Sequence, residues 1–254
     1  MARRKNKKVT ARSLISLLIL SGVCVAAWLL FNREIPRFVR YPEFGIEIPS
    51  NFPIHGIDVS RYQHHIDWEE VKAMQVKKME ISFAFIKATE GIGKTDKYFS
   101  RNWRKAQASH VIRGAYHFFL PTKSGKAQAQ HFIEAVELEP GDLPPVLDIE
   151  NTYGVMPDKL RKNVKEFLDT VEEYYKVKPI IYTNVDFYNH YLSGDFDKYP
   201  LWIAHYLQKD RPRITREWLF WQHSEQGRVN GIVTKVDFNV FNGDSTDFQH
   251  LLLD

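Results

Sequence analysis

The sequence holds one cysteine, Cys24, so no disulfide can close within the chain and no cysteine-based zinc site can be assembled. Its ten histidines show no metal-ligand spacing: His64 and His65 are adjacent and so diverge. His55, His117, His205 and His223 fall at strand positions where they could converge at one end of a fold; they read as hydrogen-bonding partners rather than metal ligands. No metal and no cofactor is expected. Ser60 and Ser224 lack a His/Asp partner pattern, which argues against nucleophilic serine chemistry. There is no internal repeat and no low-complexity tract. Positive charge is scarce in the body of the chain: residues 1–40 carry nine Lys/Arg against one Glu, while the remaining 214 carry 26 against 30. The net charge of +4 thus belongs to one end, and no nucleic-acid partner is expected.

That end reads as a membrane signal. Arg3, Arg4, Lys5, Lys7, Lys8 and Arg12 precede an uncharged run over residues 14–31, LISLLILSGVCVAAWLLF. Eighteen apolar or small residues span about 27 Å as a helix, enough for a hydrocarbon core. Cations ahead of the span keep 1–13 in the cytoplasm and send the remainder of the chain across the membrane. The rival is a cleaved signal peptide at Val25-Ala26-Ala27, leaving a secreted product; the run continues through Trp28-Leu29-Leu30, which favours an uncleaved anchor. The expected organisation is a basic segment 1–13, a transmembrane anchor 14–31, a proline-bearing linker 32–53, and one domain over 54–254 in the cell envelope, outside the inner membrane.

Within 54–254, short apolar runs alternate with amphipathic stretches. The runs are 54–59, 81–87, 112–119, 145–149, 179–183, 201–204, 219–222 and 236–238; helical patterns cover 68–76, 98–109, 126–138 and 157–175. Strand-helix alternation argues for a parallel sheet with crossover helices. Eight strands in about 200 residues predict an α/β fold, a modified (β/α) barrel with some later helices short or missing.

In such a barrel the chemistry sits at the carboxyl ends of the strands. An apolar strand has no structural use for an unpaired carboxylate. The run Pro144-Pro145-Val146-Leu147-Asp148-Ile149-Glu150 sets Asp148 and Glu150 on one strand face, about 7 Å apart along the chain. Asp58 in HGIDVS and Asp237 in KVDFN occupy comparable places. Crowded carboxyls keep one of their number protonated near neutrality, and an acid beside an anion is what glycosidic cleavage requires. Aromatics near the strand ends offer faces to sugar rings: Tyr62, Tyr116, Tyr182, Trp202, Tyr206 and Trp221 are the candidate substrate-binding residues. Core packing is the competing use of each.

Eight segments then resemble, in order, the lysozymes of glycoside hydrolase family 25, the N-acetylmuramidases. They are HGIDVSRYQHHIDW (55–68), FAFIKATEG (83–91), RGAYHFF (113–119), PPVLDIE (144–150), PIIYTN (179–184), LWIAHY (201–206), WQHSEQGRVNGI (221–232) and VDFNVFNG (236–243). The resemblance implies a modified barrel that cuts the β-1,4 bond between N-acetylmuramic acid and N-acetylglucosamine in peptidoglycan glycan strands. It implies Glu150 as proton donor, Asp148 as stabiliser of the transition state, and Asp58 and Asp237 in the same acidic groove. Two carboxyls 7 Å apart exceed the separation of about 5 Å expected of a direct nucleophilic pair. That favours assistance by the substrate's own acetamido group, with Tyr116 and Tyr182 as candidates to bind it. A different glycosidase, such as an endo-N-acetylglucosaminidase or a chitinase, and a non-catalytic peptidoglycan-binding module are the alternative readings.

Overall fold

The computed structural model describes residues 38–208 and 210–254. The expected cytoplasmic segment, anchor and first part of the linker (1–13, 14–31 and 32–37) lie outside the described residues.

Eight strands close into a barrel: β1 His55–Val59, β2 Met79–Glu90, β3 Ile112–Phe118, β4 Val146–Asp148, β5 Ile180–Asn184, β6 Leu201–Ala204, β7 Phe220–Gly227 and β8 Val236–Phe241. Neighbours around the ring run β1-β8-β7-β6-β5-β4-β3-β2, and β2 pairs back to β1. All adjacent pairs are parallel except the two that flank β8, which runs the other way. Chain length explains the reversal. Residues 228–235 join β7 to β8 with no helix between them, and a parallel return needs a crossover of a dozen or more residues. Asp237 therefore lies at the start of its strand and yet at the same barrel end as the carboxyl termini of the other seven.

Helices cover the barrel early and fade later, as expected. Helix α1 (Trp68–Ala73) starts where the Asp67 carboxylate accepts the Glu69 and Glu70 amides. Helices α2 (Phe99–Ala108), α3 (Gly125–Ala135) and α4 (Pro157–Tyr175) follow β2, β3 and β4. Helix α4 begins on Pro157 and ends where Lys176 turns left-handed at φ 61°. It buries Leu160, Val164, Phe167, Leu168 and Val171 against the outer barrel wall. After β5 the described residues form only helical turns over 185–192, and none between β6 and β7. A last helix, α5 (Ser245–Leu251), closes the lower end, its Phe248 ring 5.6 Å from Phe83 and 5.0 Å from Phe241.

The barrel bore is filled by large rings packed beside missing side chains. Phe83, Phe85, Tyr182, Trp202, Phe220 and Phe241 belong to one buried inner cluster. Gly56 and Gly114 give these rings room: a Cβ on Gly56 would lie 2.5 Å from Phe83, and one on Gly114 would lie 2.6 Å from Phe85. The floor of the site is thus solid, and chemistry is confined to the upper rim.

One boundary differs from the sequence reading. Residues 38–49, placed in the linker, form an antiparallel hairpin of Phe38–Tyr41 and Ile46–Pro49. Phe44, Ile46 and Ile48 are buried in the outer core. Phe38 meets Trp221 edge-on at 6.1 Å, and Phe44 meets Phe238 at 5.5 Å. The four prolines of residues 32–53 masked an alternation, Phe44-Ile46-Ile48, that marks a half-buried strand.

Candidate active site

Side chains alternate along each strand, so every second residue enters the bore. At the upper rim this rule gathers Asp58 from β1, Lys87 from β2, Tyr116 from β3, Asp148 from β4, Tyr182 from β5, Gln222 from β7, and Asp237 and Asn239 from β8. The four acids foreseen in the sequence converge on one end of the barrel as two pairs.

The first pair is Asp58 and Asp237, directly opposite each other in the antiparallel β1–β8 ladder. Their carboxyls are hydrogen bonded to one another, which requires a proton between them. Burial, followed by the Asp58 charge, pushes Asp237 up to about 9. Burial also lifts Asp58, to about 6, opposed by donors that favour its anion. Asn239 Nδ2 and Gln222 Nε2 each donate to Asp58 Oδ2 at 2.8 Å. Asp237 is thus the acid and Asp58 the anion near neutral pH. The amides are held in turn: Tyr182 and Tyr206 hydroxyls donate to Gln222 Oε1 at 2.8 and 2.5 Å, and Trp202 Nε1 donates to Asn239 Oδ1 at 2.8 Å.

The second pair is Asp148 and Glu150. Strand β4 ends at Asp148, so the extended spacing of about 7 Å expected for the pair does not carry through; the two carboxyls are hydrogen bonded to each other. Asp148 is 5% exposed and Glu150 reaches the open edge. Loss of hydration, then the neighbouring Glu150 charge, drives Asp148 far above the usual carboxylate range. Loss of hydration also raises Glu150. Asp148 Oδ1 is buried with no hydrogen-bond partner among the described residues. Such an acceptor is costly unless something donates to it, and a substrate N–H would.

The aromatic candidates divide. Tyr62 stands on the rim, 65% exposed, on the turn after β1. Tyr116, Tyr182 and Tyr206 sit at the mouth, their hydroxyls kept protonated by burial and by the nearby carboxylates. Trp202 does not reach the surface: it is 2% exposed, stacked on Phe85 at 4.3 Å beneath Tyr182. Its part is to carry Asn239 from below. Trp221 points the other way, fully buried between barrel and hairpin, its Nε1 donating to the His205 carbonyl. The histidines do not converge at the mouth either. His117 faces the helices, bonded to Thr89 and Gln128, and His55 and His223 lie buried, His223 against the hairpin's Phe38.

Three residues of the rim escaped the sequence reading: Lys87, Gln222 and Asn239. A signal for two was present. Gln222 is two residues from Phe220 and Asn239 two from Asp237, the spacing that puts both on the inner face.

Residues 57–232 match the family described as Glycosyl hydrolases family 25. The chain is 47% identical over 206 residues to "Uncharacterized protein YegX" of Escherichia coli (strain K12), covering 81% of this chain and 76% of that one. It is 37% identical over 205 residues to "Lysozyme M1" of Streptomyces globisporus, covering 75% and 68%. Among solved structures it superposes on a family 25 glycosyl hydrolase from Bacillus anthracis with a TM-score of 0.74 at 32% identity, over 85% of this chain and 100% of that one.

Proposed function

The chain belongs to glycosyl hydrolase family 25, and from that membership we propose that it is a lysozyme cleaving the β-1,4 bond between N-acetylmuramic acid and N-acetylglucosamine in peptidoglycan. The observation that carries the reading is the pairing of four carboxyls into two proton-sharing couples at one barrel end. Each couple supplies one acid and one anion, the combination that glycosidic cleavage uses.

Glu150 acts as the general acid. It stands at the open edge, where the leaving oxygen can reach it, and loss of hydration raises its pKa, which favours its taking up a proton once Asp148 gives one up. Asp148 acts from below. In the free enzyme its carboxyl holds the shared proton and donates to Glu150. An acetamido N–H that donates to the unpartnered Oδ1 favours the Asp148 anion, so the proton passes to Glu150 as substrate binds. The Asp148 anion then orients the acetamido oxygen for attack on the anomeric carbon and offsets the positive charge that develops. The leaving oxygen takes the Glu150 proton; water, deprotonated by the Glu150 carboxylate, then opens the ring intermediate and restores the acid. Tyr116 flanks Asp148 as a donor to the acetamido oxygen, Tyr182, whose proton goes to Gln222, lies beside Asp148 as a contact for the acetamido group, and Tyr62 and Tyr206 offer contacts along the rim.

The N-terminal run 14–31 is read as a signal anchor, so that the barrel works on the outer side of the inner membrane and faces the wall. Six cations ahead of eighteen uncharged residues support this reading. Membrane fractionation with N-terminal sequencing tests it: an intact N-terminus in the membrane pellet agrees, and a soluble product starting near Trp28 does not.

The activity is tested by incubating the protein with purified peptidoglycan, reducing the products with borohydride and identifying them by mass spectrometry. Reduced muramic acid ends are expected. Reduced glucosamine ends would instead assign an endo-N-acetylglucosaminidase.

A further inference from the structure

We propose that Lys87 is a positioning residue for the Asp148–Glu150 pair: its ammonium, fixed inside the barrel mouth, holds the pair at one shared proton. The inference rests on the muramidase reading of the site.

Strand β2 sends Phe83, Phe85 and then Lys87 into the bore, so a lysine occupies a place where packing alone would take a third ring. Its side chain is 11% exposed, and burying a cation is expensive unless charge compensates it. Two contacts fix the head group. Nζ lies 2.8 Å from Glu90 Oε2 and 4.4 Å from the centroid of the Phe118 ring. Glu90 is itself held at 2.8 Å by Lys94. Phe118 is in register with Asp148 on the adjoining strand β4, so the ammonium sits one strand away from the acid pair. Its charge favours the ionised form of both Asp148 and Glu150. The other buried cation among the described residues, Arg113, faces outward and is locked to Asp142.

The pair also faces Asp58 and Asp237 across the mouth and the phenols of Tyr116, Tyr182 and Tyr206. Of these groups the Asp58 anion opposes ionisation of Asp148 by repulsion, Asp237 keeps its proton, and none is cationic. Without Lys87 the pair would hold two protons over a wider pH range, leaving no anion to receive the acetamido group. A purely structural ion pair with Glu90 would have no such effect.

The test compares the full-length chain in detergent micelles with Lys87→Met, Lys87→Gln and Lys87→Arg. For each, kcat/KM for release of muramic acid reducing ends is measured from about pH 4 to 9, beside a circular-dichroism melt. In the neutral variants both limbs of the profile should move to higher pH by about one unit, while Lys87→Arg should keep the wild-type position. Lys87→Gln serves if Lys87→Met does not fold. A folded neutral variant whose profile stays in place, whatever its kcat, overturns the proposal, as does an equal shift in Lys87→Arg. Wild type that releases no muramic acid ends refutes the muramidase reading itself, a separate and recognisable failure.

Discussion

Asp58 and Asp237 come from the first and last strands of the barrel and lie directly opposite each other, one proton between them. Two buried carboxyls facing across a ladder cannot both ionise without repulsion, so this arrangement costs stability, above the pH at which both would otherwise be charged, that the fold makes up elsewhere. Its donors, Gln222 and Asn239, are oriented by Tyr182, Tyr206 and Trp202. The rim is therefore built as a rigid, preorganised set of carboxyls over a floor of packed aromatic rings.

The cost can be read as a pH dependence. An unfolded Asp releases its proton near pH 4, whereas folded Asp237 keeps it to about 9. Between those values the folded state binds more protons, so stability falls as pH rises through the window. Asp237→Asn removes that loss and can still donate to Asp58. We expect it to raise stability by about 1–2 kcal/mol at pH 8, roughly 2–8 °C in a domain of this size, and by less at pH 5. Thermal melts at the two pH values check this; a variant less stable at pH 8 would contradict it.

Asp148→Asn tests the role of the lower anion. The amide cannot offset positive charge or favour transfer of the proton to Glu150. Turnover on peptidoglycan should fall by about 10²–10³-fold with the melt unchanged or raised, because a buried, dehydrated carboxyl is gone. Near-wild-type turnover would remove Asp148 from the mechanism.

Arg113 measures what holds the outer wall. Its guanidinium is bidentate to Asp142 at 2.7 and 3.1 Å, reaches Glu139 at 3.0 Å, and lies 4.1 Å over the Trp103 ring. Arg113→Met strands a buried carboxylate, at a cost of about 3–5 kcal/mol or roughly 10 °C. Asp142 is already raised by burial, so the deficit should shrink on acidification as it takes a proton. Turnover per folded molecule should not change. A melt within about 2 °C of wild type, the margin of a surface change, would show the pair to be dispensable.

The sequence was legible where composition and period agree. All eight barrel strands stood out as apolar runs, helix α4 was placed end to end, and the four acids were found because carboxylates on apolar strands have no packing use. The misassigned side-chain directions share one cause: both faces of each barrel strand are covered, so hydrophobicity does not tell inside from outside. Trp221 and Gln222 are neighbours, and the aromatic faces the hairpin while the amide enters the site. Trp202 does enter the bore, but below the layer that substrate can touch. The reversal of β8 depends on loop length, and Lys87 gave no periodic sign because a lysine at a strand end is ordinary at the surface.

The central claim is that Glu150 protonates the leaving oxygen. The direct measurement is the turnover of Glu150→Gln against wild type on two substrates: peptidoglycan, whose leaving alcohol needs a proton, and an aryl glycoside of the same muramic acid sugar, whose leaving phenol does not. A general acid at Glu150 predicts a loss of about 10³-fold or more on peptidoglycan, only a small loss on the aryl glycoside, and an unchanged melt. Equal losses on both substrates, or wild-type turnover on peptidoglycan, would contradict it.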